Sequence, residues 1–215
     1  MLAAAVSLLG AEPIGMGIAA DRPEAIRAAV AQGLAADVLV LSGGVSAGDL
    51  DLVPAAFSAC GVAQVFHKVR LKPGKPVWFG ILRRPSSSPT LVFGLPGNPA
   101  SSLVCFELLV RPVIRILAGA SRESWHLPRS RAVLVSSVKA ADDRPLFLPC
   151  RLRPATGMLE AEPLPWTGSS DLLGMASGST VPGAFPGLIA LPAGSGRFEP
   201  GDDVEALLRG ETPPR

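Results

Sequence analysis

The stretch Asp37-Val38-Leu39-Val40-Leu41-Ser42-Gly43-Gly44-Val45-Ser46-Ala47-Gly48-Asp49-Leu50-Asp51 decides how the first half of the chain reads. Residues 37–42 form a short continuous apolar run, the pattern of a strand buried on both faces of a parallel sheet, and they predict a central strand. A glycine-rich loop leaves its carboxyl end, where ligands collect in open α/β sheets. Gly43, Gly44 and Gly48 let the backbone take positive φ and turn N–H groups toward an oxyanion, and the Ser46 hydroxyl can donate to a phosphate oxygen. Asp49 and Asp51 would repel a phosphate directly. They make sense beside an anion loop if Mg2+ bridges carboxylate and phosphate, or if they accept from a polar ligand. A tight turn with an aspartate cap for the next helix accounts for the same residues without a ligand.

Working outward, Leu2, Val6 and Leu9 fall on one helical face that Gly10 is placed to end, and residues 12–17 predict a strand. Asp21 stands where a cap belongs, ahead of Pro23, Ile26 and Val30, so a second helix is expected to about residue 32. After the glycine loop come a helix at 53–60 and strands at 64–71, 77–82 and 90–94. Residues 83–89, rich in arginine, serine and proline, predict a mobile loop tip. A long helix at 100–117 follows, with Pro112 expected to kink it. Alternating strands and helices make this half an α/β domain, three layers deep, over residues 1–120. Residues 127–211 change to short alternating runs separated by proline and glycine, an all-β, barrel-like domain, and the tail from Gly210 is expected to fray.

Two more loops point to anions. Lys72-Pro73-Gly74-Lys75-Pro76 holds two ammonium groups around a rigid turn, and lysine suits an oxyanion such as phosphate as a compact point charge. Gly94-Leu95-Pro96-Gly97-Asn98-Pro99-Ala100-Ser101 delivers the long helix, whose amino terminus offers N–H groups and partial positive charge; Ser101 or Ser102 is placed to cap it or to touch a ligand. A solvated hairpin turn and an ordinary proline-led helix start are the plain alternatives. His67 and His126 have no metal-ligand spacing and receive no role.

With 20 basic against 18 acidic side chains the formal charge is only +2, which builds no long-range field for nucleic acid or an anionic membrane. The opening apolar residues are too few for a membrane span. Cys60, Cys105 and Cys150 are far apart and unpaired in pattern, which argues against a disulfide framework or zinc site and for a reducing, cytoplasmic setting.

The three loops in this order closely resemble the molybdopterin molybdenumtransferase family, whose animal members are fused into gephyrin. The resemblance is strong over residues 2–117 and weaker beyond, where G-L-I-A-L-P-A-G is the familiar phrase. It implies molybdenum cofactor biosynthesis: a transferase reaction in which adenylylated molybdopterin and molybdate give molybdenum cofactor and AMP with Mg2+ present. Gly43, Gly44, Val45 and Ser46 would hold the pterin or its phosphate. Asp51 matches the family's functional carboxylate, with Asp49 and Asp51 as metal ligands. Lys72 and Lys75 match lysines near the substrate, flanking Pro73 and Gly74, while Pro96, Gly97, Asn98, Pro99 and Ser101 line the pocket. Asp21 matches an acidic position near the adenylylated substrate, although Ala20-Asp21 offers one acid where many members have two.

The resemblance also implies a homodimer, with molybdopterin adenylyltransferase as a candidate partner. Family members are about twice this length, so the chain reads as the carboxyl-terminal half, beginning inside the first helix. Residues 166–179 depart from the family pattern and receive no sites. Two alternatives stand beside this reading. One is a non-catalytic scaffold that keeps the fold. The other, a related adenylyltransferase or nicotinamide-nucleotide amidase, is disfavoured because those carry Thr-Gly-Gly-Thr-Gly or Thr-Gly-Gly-Leu-Gly and lack K-P-G-K-P.

Overall fold

The computed structural model describes residues 1–45, 52–85, 87–164 and 182–209. The chain forms two compact units, one of Met1–Val69 with Gly74–Trp125 and one of Arg70–Pro73 with His126–Arg215. The first is a mixed α/β unit and the second contains a closed five-stranded β-barrel.

In the α/β unit the helices are α1 (Leu2–Leu8), α2 (Pro23–Gly33), α3 (Leu52–Ala59), α4 (Pro99–Cys105) and α5 (Arg111–Leu117). The strands are β1 (Val38–Ser42), β2 (Ala63–His67), β3 (Trp78–Arg84) and β4 (Ser87–Leu95), in sheet order β1-β4-β3-β2. β1 runs parallel to β4, whereas β4, β3 and β2 are antiparallel neighbours. The expectation of a central β1 is therefore corrected: among the described strands it is an edge. Its apolar run reflects burial under helices, since Leu39, paired with Val92, packs with Ile26, Val30, Val53 and Phe57 of α2 and α3.

The strand expected at residues 12–17 does not form; the segment is irregular and exposed. Pro13 removes a ladder donor, and Gly15 and Gly17 add backbone entropy without a side chain to pack. Asp21 does not cap α2 either. The cap position is Arg22, with no side-chain hydrogen bond, and Pro23 sets the first turn.

The expected loop tip at 83–89 is mostly hairpin, with Arg84 paired to Ser87. Arg84 reaches back to the Leu34 carbonyl and to Thr90 Oγ1 (2.6 Å), while the buried Thr90 hydroxyl donates to the Ala36 carbonyl at 2.9 Å. These bonds anchor the hairpin to the turn between α2 and β1. The long helix carries a π-helical turn at Phe106–Val110, between α4 and α5, with Pro112 in the first turn of α5. One wider turn absorbs the missing N–H and the ring that would collide with the preceding turn.

The second unit adds β5 (Arg129–Leu134), β6 (Val138–Lys139), β7 (Leu146–Ala155), β8 (Met158–Pro163), β9 (Phe185–Leu191), β10 (Arg197–Phe198) and β11 (Asp203–Leu208). The barrel closes in the order β11-β5-β8-β7-β9, with β9 paired back to β11. Its interior mixes small Ala132, Ala161 and Ala206 with large Leu152 and Ile189, all about 1% exposed or less. That alternation fits side chains into a narrow barrel. At Gly187 a β-carbon would lie 2.4 Å from Leu152 Cδ1, so glycine is required by packing there.

On the barrel, Glu162 accepts from Arg151 (2.6 Å) and Arg153 (3.1 Å). The Arg151 hydrogen bond, with the charges of both arginines, holds its carboxyl below the usual carboxylate range against some desolvation. A depressed carboxylate contributes stability above its unfolded pKa and loses it as pH falls through the folded value. Glu162→Gln should therefore cost up to about 1 kcal/mol at neutral pH, a partly exposed pair being screened. The difference from wild type should shrink at about pH 3, as pH falls toward the lowered folded value. Denaturant unfolding at the two pH values checks this; an equal difference at both would show that packing, not charge, is responsible.

Candidate functional site

The first and third loops meet backbone to backbone. Gly43 (φ 100°) donates its N–H to the Leu95 carbonyl at 3.0 Å, and a β-carbon on Gly97 would lie 3.3 Å from Gly43 Cα. Only glycine takes Gly43's backbone readily, and glycine at 97 permits the close approach. Gly44, at φ 66°, faces Val53: a β-carbon there would come within 2.6 Å of Val53 Cγ2. Val45 is 1% exposed and packs with Phe57 and Trp78, pinning the loop to the core.

Two hydroxyls tie the loops together. Ser42 Oγ donates to the Pro96 carbonyl (3.2 Å) and lies 3.1 Å from Ser102 Oγ, which bonds the same carbonyl. Ser42, assigned no role from the sequence, and Ser102, one of the two serines named at the helix start, thus carry the junction, and the Ser101 side chain makes no described bond in it. The helix cap is Asn98: its side chain accepts from Ser101 N–H, at a long 3.4 Å, and its carbonyl accepts from Ser102 N–H at 2.8 Å. Pro99 has no N–H to offer. The helix start is therefore largely satisfied from within, and the expected fan of N–H groups reduces to Ala100 in the first turn.

The K-P-G-K-P turn is divided between the units. Lys72 and Pro73 belong to the barrel unit, where Lys72 N–H donates to the Pro145 carbonyl (3.0 Å) and Phe147 N–H to the Lys72 carbonyl (2.8 Å). Gly74 and Lys75 belong to the α/β unit. The Gly74 carbonyl accepts from Val77 N–H (3.2 Å) and Cys105 Sγ (3.6 Å), and the Lys75 carbonyl from Val69 N–H (2.9 Å). Burial pushes the Cys105 thiol up to about 12, so it is a neutral weak donor rather than a nucleophile. Both lysine side chains are exposed.

His67 also reaches this region, though the sequence assigned it nothing. β2 carries a bulge between Gln64 and Phe66, after which Phe66 pairs with Phe79 and His67 with Trp78. Cross-strand partners share a face. The bulge therefore puts Phe66 beside Phe79, their rings 5.4 Å apart, with Phe79 in turn 4.7 Å from Phe93, and puts His67 on the opposite face with Trp78. There His67 Nε2 lies 3.2 Å from the Val45 carbonyl. A strict two-residue alternation across residues 64–71 carries no sign of this.

Asp21 is exposed, and no described bond brings it to these loops. Ser46, Asp49 and Asp51 lie outside the described residues, as do residues 166–179 and the tail from Gly210. Among the described residues there is no cluster of three or more His, Cys, Asp or Glu side chains placed to hold a metal ion. Nor is any described helix long and apolar enough to cross a membrane. Within residues 43–45, 74–76 and 94–101 of the α/β unit the charged side chain is that of Lys75.

Comparison with known proteins matches residues 1–116 to the family model described as "Probable molybdopterin binding domain" and residues 131–208 to "MoeA C-terminal region (domain IV)". The chain is 41% identical over 122 residues to a molybdopterin molybdenumtransferase of Nostoc sp., covering 56% of this chain and 28% of that protein. It is 32% identical over 200 residues to that of Bacillus subtilis, covering 93% of this chain and 43% of the relative. A crystal structure of the molybdopterin biosynthesis MoeA protein of Pyrococcus horikosii superposes with a TM-score of 0.73 at 28% identity, covering 98% of this chain and 47% of that one. The chain thus spans less than half the length of each of these relatives.

Proposed function

The chain belongs to the molybdopterin molybdenumtransferase family, in molybdenum cofactor biosynthesis, and from that premise we propose that its α/β unit binds adenylylated molybdopterin and supports molybdate insertion with release of AMP. The observation that carries this reading is the junction of the Gly43–Val45 backbone with the Leu95–Ser102 loop through Gly97 and the Pro96 carbonyl. Among the described residues of this junction there is no acidic side chain, which suits a phosphorylated pterin. A molybdate oxygen attacks the adenylyl phosphorus and the phosphorus–oxygen bond to the pterin phosphate breaks; the two dithiolene sulfurs then bond molybdenum, displacing that oxygen with AMP and a second molybdate oxygen as water. Lys75, Lys72 and the loop N–H groups stabilise the charge gathering on the phosphate oxygens. The protein's contribution is position and charge, and no side-chain nucleophile is required.

Mg2+ takes hard oxygen ligands, carboxylates above all. The described residues by themselves do not fit such a cation, so Mg2+ enters this proposal through Asp49 and Asp51 alone. The reading extends to a cytoplasmic homodimer served by the adenylyltransferase that makes its substrate. Asp21, exposed ahead of α2, keeps its place as a candidate contact to the adenylyl end.

Calorimetric titration with molybdopterin, together with AMP release from the adenylylated form plus molybdate, tests the proposal. Lys75→Ala is expected to weaken binding about tenfold, the order of one charge-assisted hydrogen bond, and Asp51→Ala to abolish AMP release while the fold persists. Saturable binding without AMP release would instead favour a non-catalytic molybdopterin-binding protein. No saturable binding by the folded wild type overturns both.

A further inference from the structure

We infer that His67 is a positioning residue for the Gly43–Val45 loop, and that the pair His67-Lys68 ties this loop to the Gly74–Val77 turn. The inference rests on the molybdopterin-binding reading only for its consequence in affinity. A carbonyl only accepts, so at 3.2 Å from Val45 O the imidazole carries its proton on Nε2 and donates. Holding the Val45 carbonyl fixes the direction in which the last described residue of this loop points. The Val45 side chain is already anchored in the core. What His67 adds is direction.

The next residue makes the second connection. Lys68 is the single described non-glycine residue at positive φ (67°), a conformation that persists only where its surroundings enforce it. Here its N–H donates to the Val77 carbonyl and the following N–H, of Val69, donates to the Lys75 carbonyl, each at 2.9 Å. The β2 bulge aims His67 at the first loop, and the left-handed residue after it turns the backbone into the second. Movement of either loop is thereby felt at the same two residues.

Glutamine places an amide N–H near where imidazole Nε2 sits, asparagine is too short, and phenylalanine keeps the ring without a donor. Amide hydrogen exchange at Gly43, Gly44 and Val45 is compared in wild type, His67→Gln, His67→Asn and His67→Phe, with Val92 and Phe93 of β4 as internal controls. Loss of one hydrogen bond should speed exchange in the loop about tenfold in the Asn and Phe variants. The controls should not move, and the Gln variant should stay within about twofold of wild type. Molybdopterin affinity should follow the same order. If His67→Phe does not fold, the Gln and Asn pair carries the contrast. Wild-type exchange in the Asn variant, or Gln as fast as Asn, overturns the inference. Should the exchange contrast hold while wild type binds no molybdopterin, the functional reading falls and the positioning role stands. Binding without the contrast keeps the functional reading and removes the positioning role.

Discussion

A Phe57→Ala variant is expected to lose about 3–5 kcal/mol of folding stability in the α/β unit, the usual range for deleting a buried aromatic side chain. Phe57 is fully buried, its ring centroid lies 4.6 Å from that of Trp78, and it packs in one cluster with Val30, Val45, Val53 and Trp78. The cavity would open beneath the first loop, because Val45 shares that cluster. Urea unfolding followed by tryptophan fluorescence measures the loss, with the exposed Val65→Ala as a control expected to change stability by less than about 0.5 kcal/mol. A loss below about 1 kcal/mol for Phe57→Ala would show that the core re-closes around the gap and that the loop does not depend on it.

The second large effect falls on binding. Gly97→Val is expected to weaken molybdopterin affinity about 30- to 150-fold, because overpacking of about 2–3 kcal/mol must be relieved at the loop junction. The β-carbon alone would stand 3.3 Å from Gly43 Cα, and the γ-carbons reach further. Gly43 has little room to yield, since its φ of 100° suits only glycine and its N–H is held by Leu95 O. Gly97 is itself exposed, so opening of the loops relieves the strain more cheaply than unfolding. Calorimetry paired with thermal melts separates the two. Wild-type affinity in Gly97→Val would mean that this junction does not form the binding surface.

Much of the fold is legible in the residues because local periodicity reports burial. Alternating and continuous apolar runs located β1, β3 and β4 to within a few residues and marked the later residues as barrel-forming, and Pro23 marked the start of α2. The failures have physical causes as well. Residues 12–17 look apolar enough for a strand, yet Pro13 and two glycines remove donors and packing surface. Residues 83–89 look like a loop tip by composition, yet Arg84 finds partners at Leu34 and Thr90 that no local window contains. In the candidate site, the glycines and prolines were readable because backbone freedom is a property of the residue itself. Ser102 was one of the two serines named at the helix start, while Ser42 stood next to the glycine pair, so adjacency was its available signal. His67 had none.

By itself the sequence determined the fold class, the order of the three loops and the family, because hydrophobic period, turn chemistry and motif spacing are properties of neighbouring residues. The tertiary structure alone decided that β1 is an edge strand, that Arg70–Pro73 joins the barrel unit, that two serines share the Pro96 carbonyl, and that a bulge turns His67 toward Val45. Each of these is a hydrogen-bonding choice between residues far apart in the chain, such as Val38 with Leu91 or Ser42 with Pro96. A backbone N–H or C=O is the same at every residue, so which partner it takes is set by what the folded chain brings within about 3 Å.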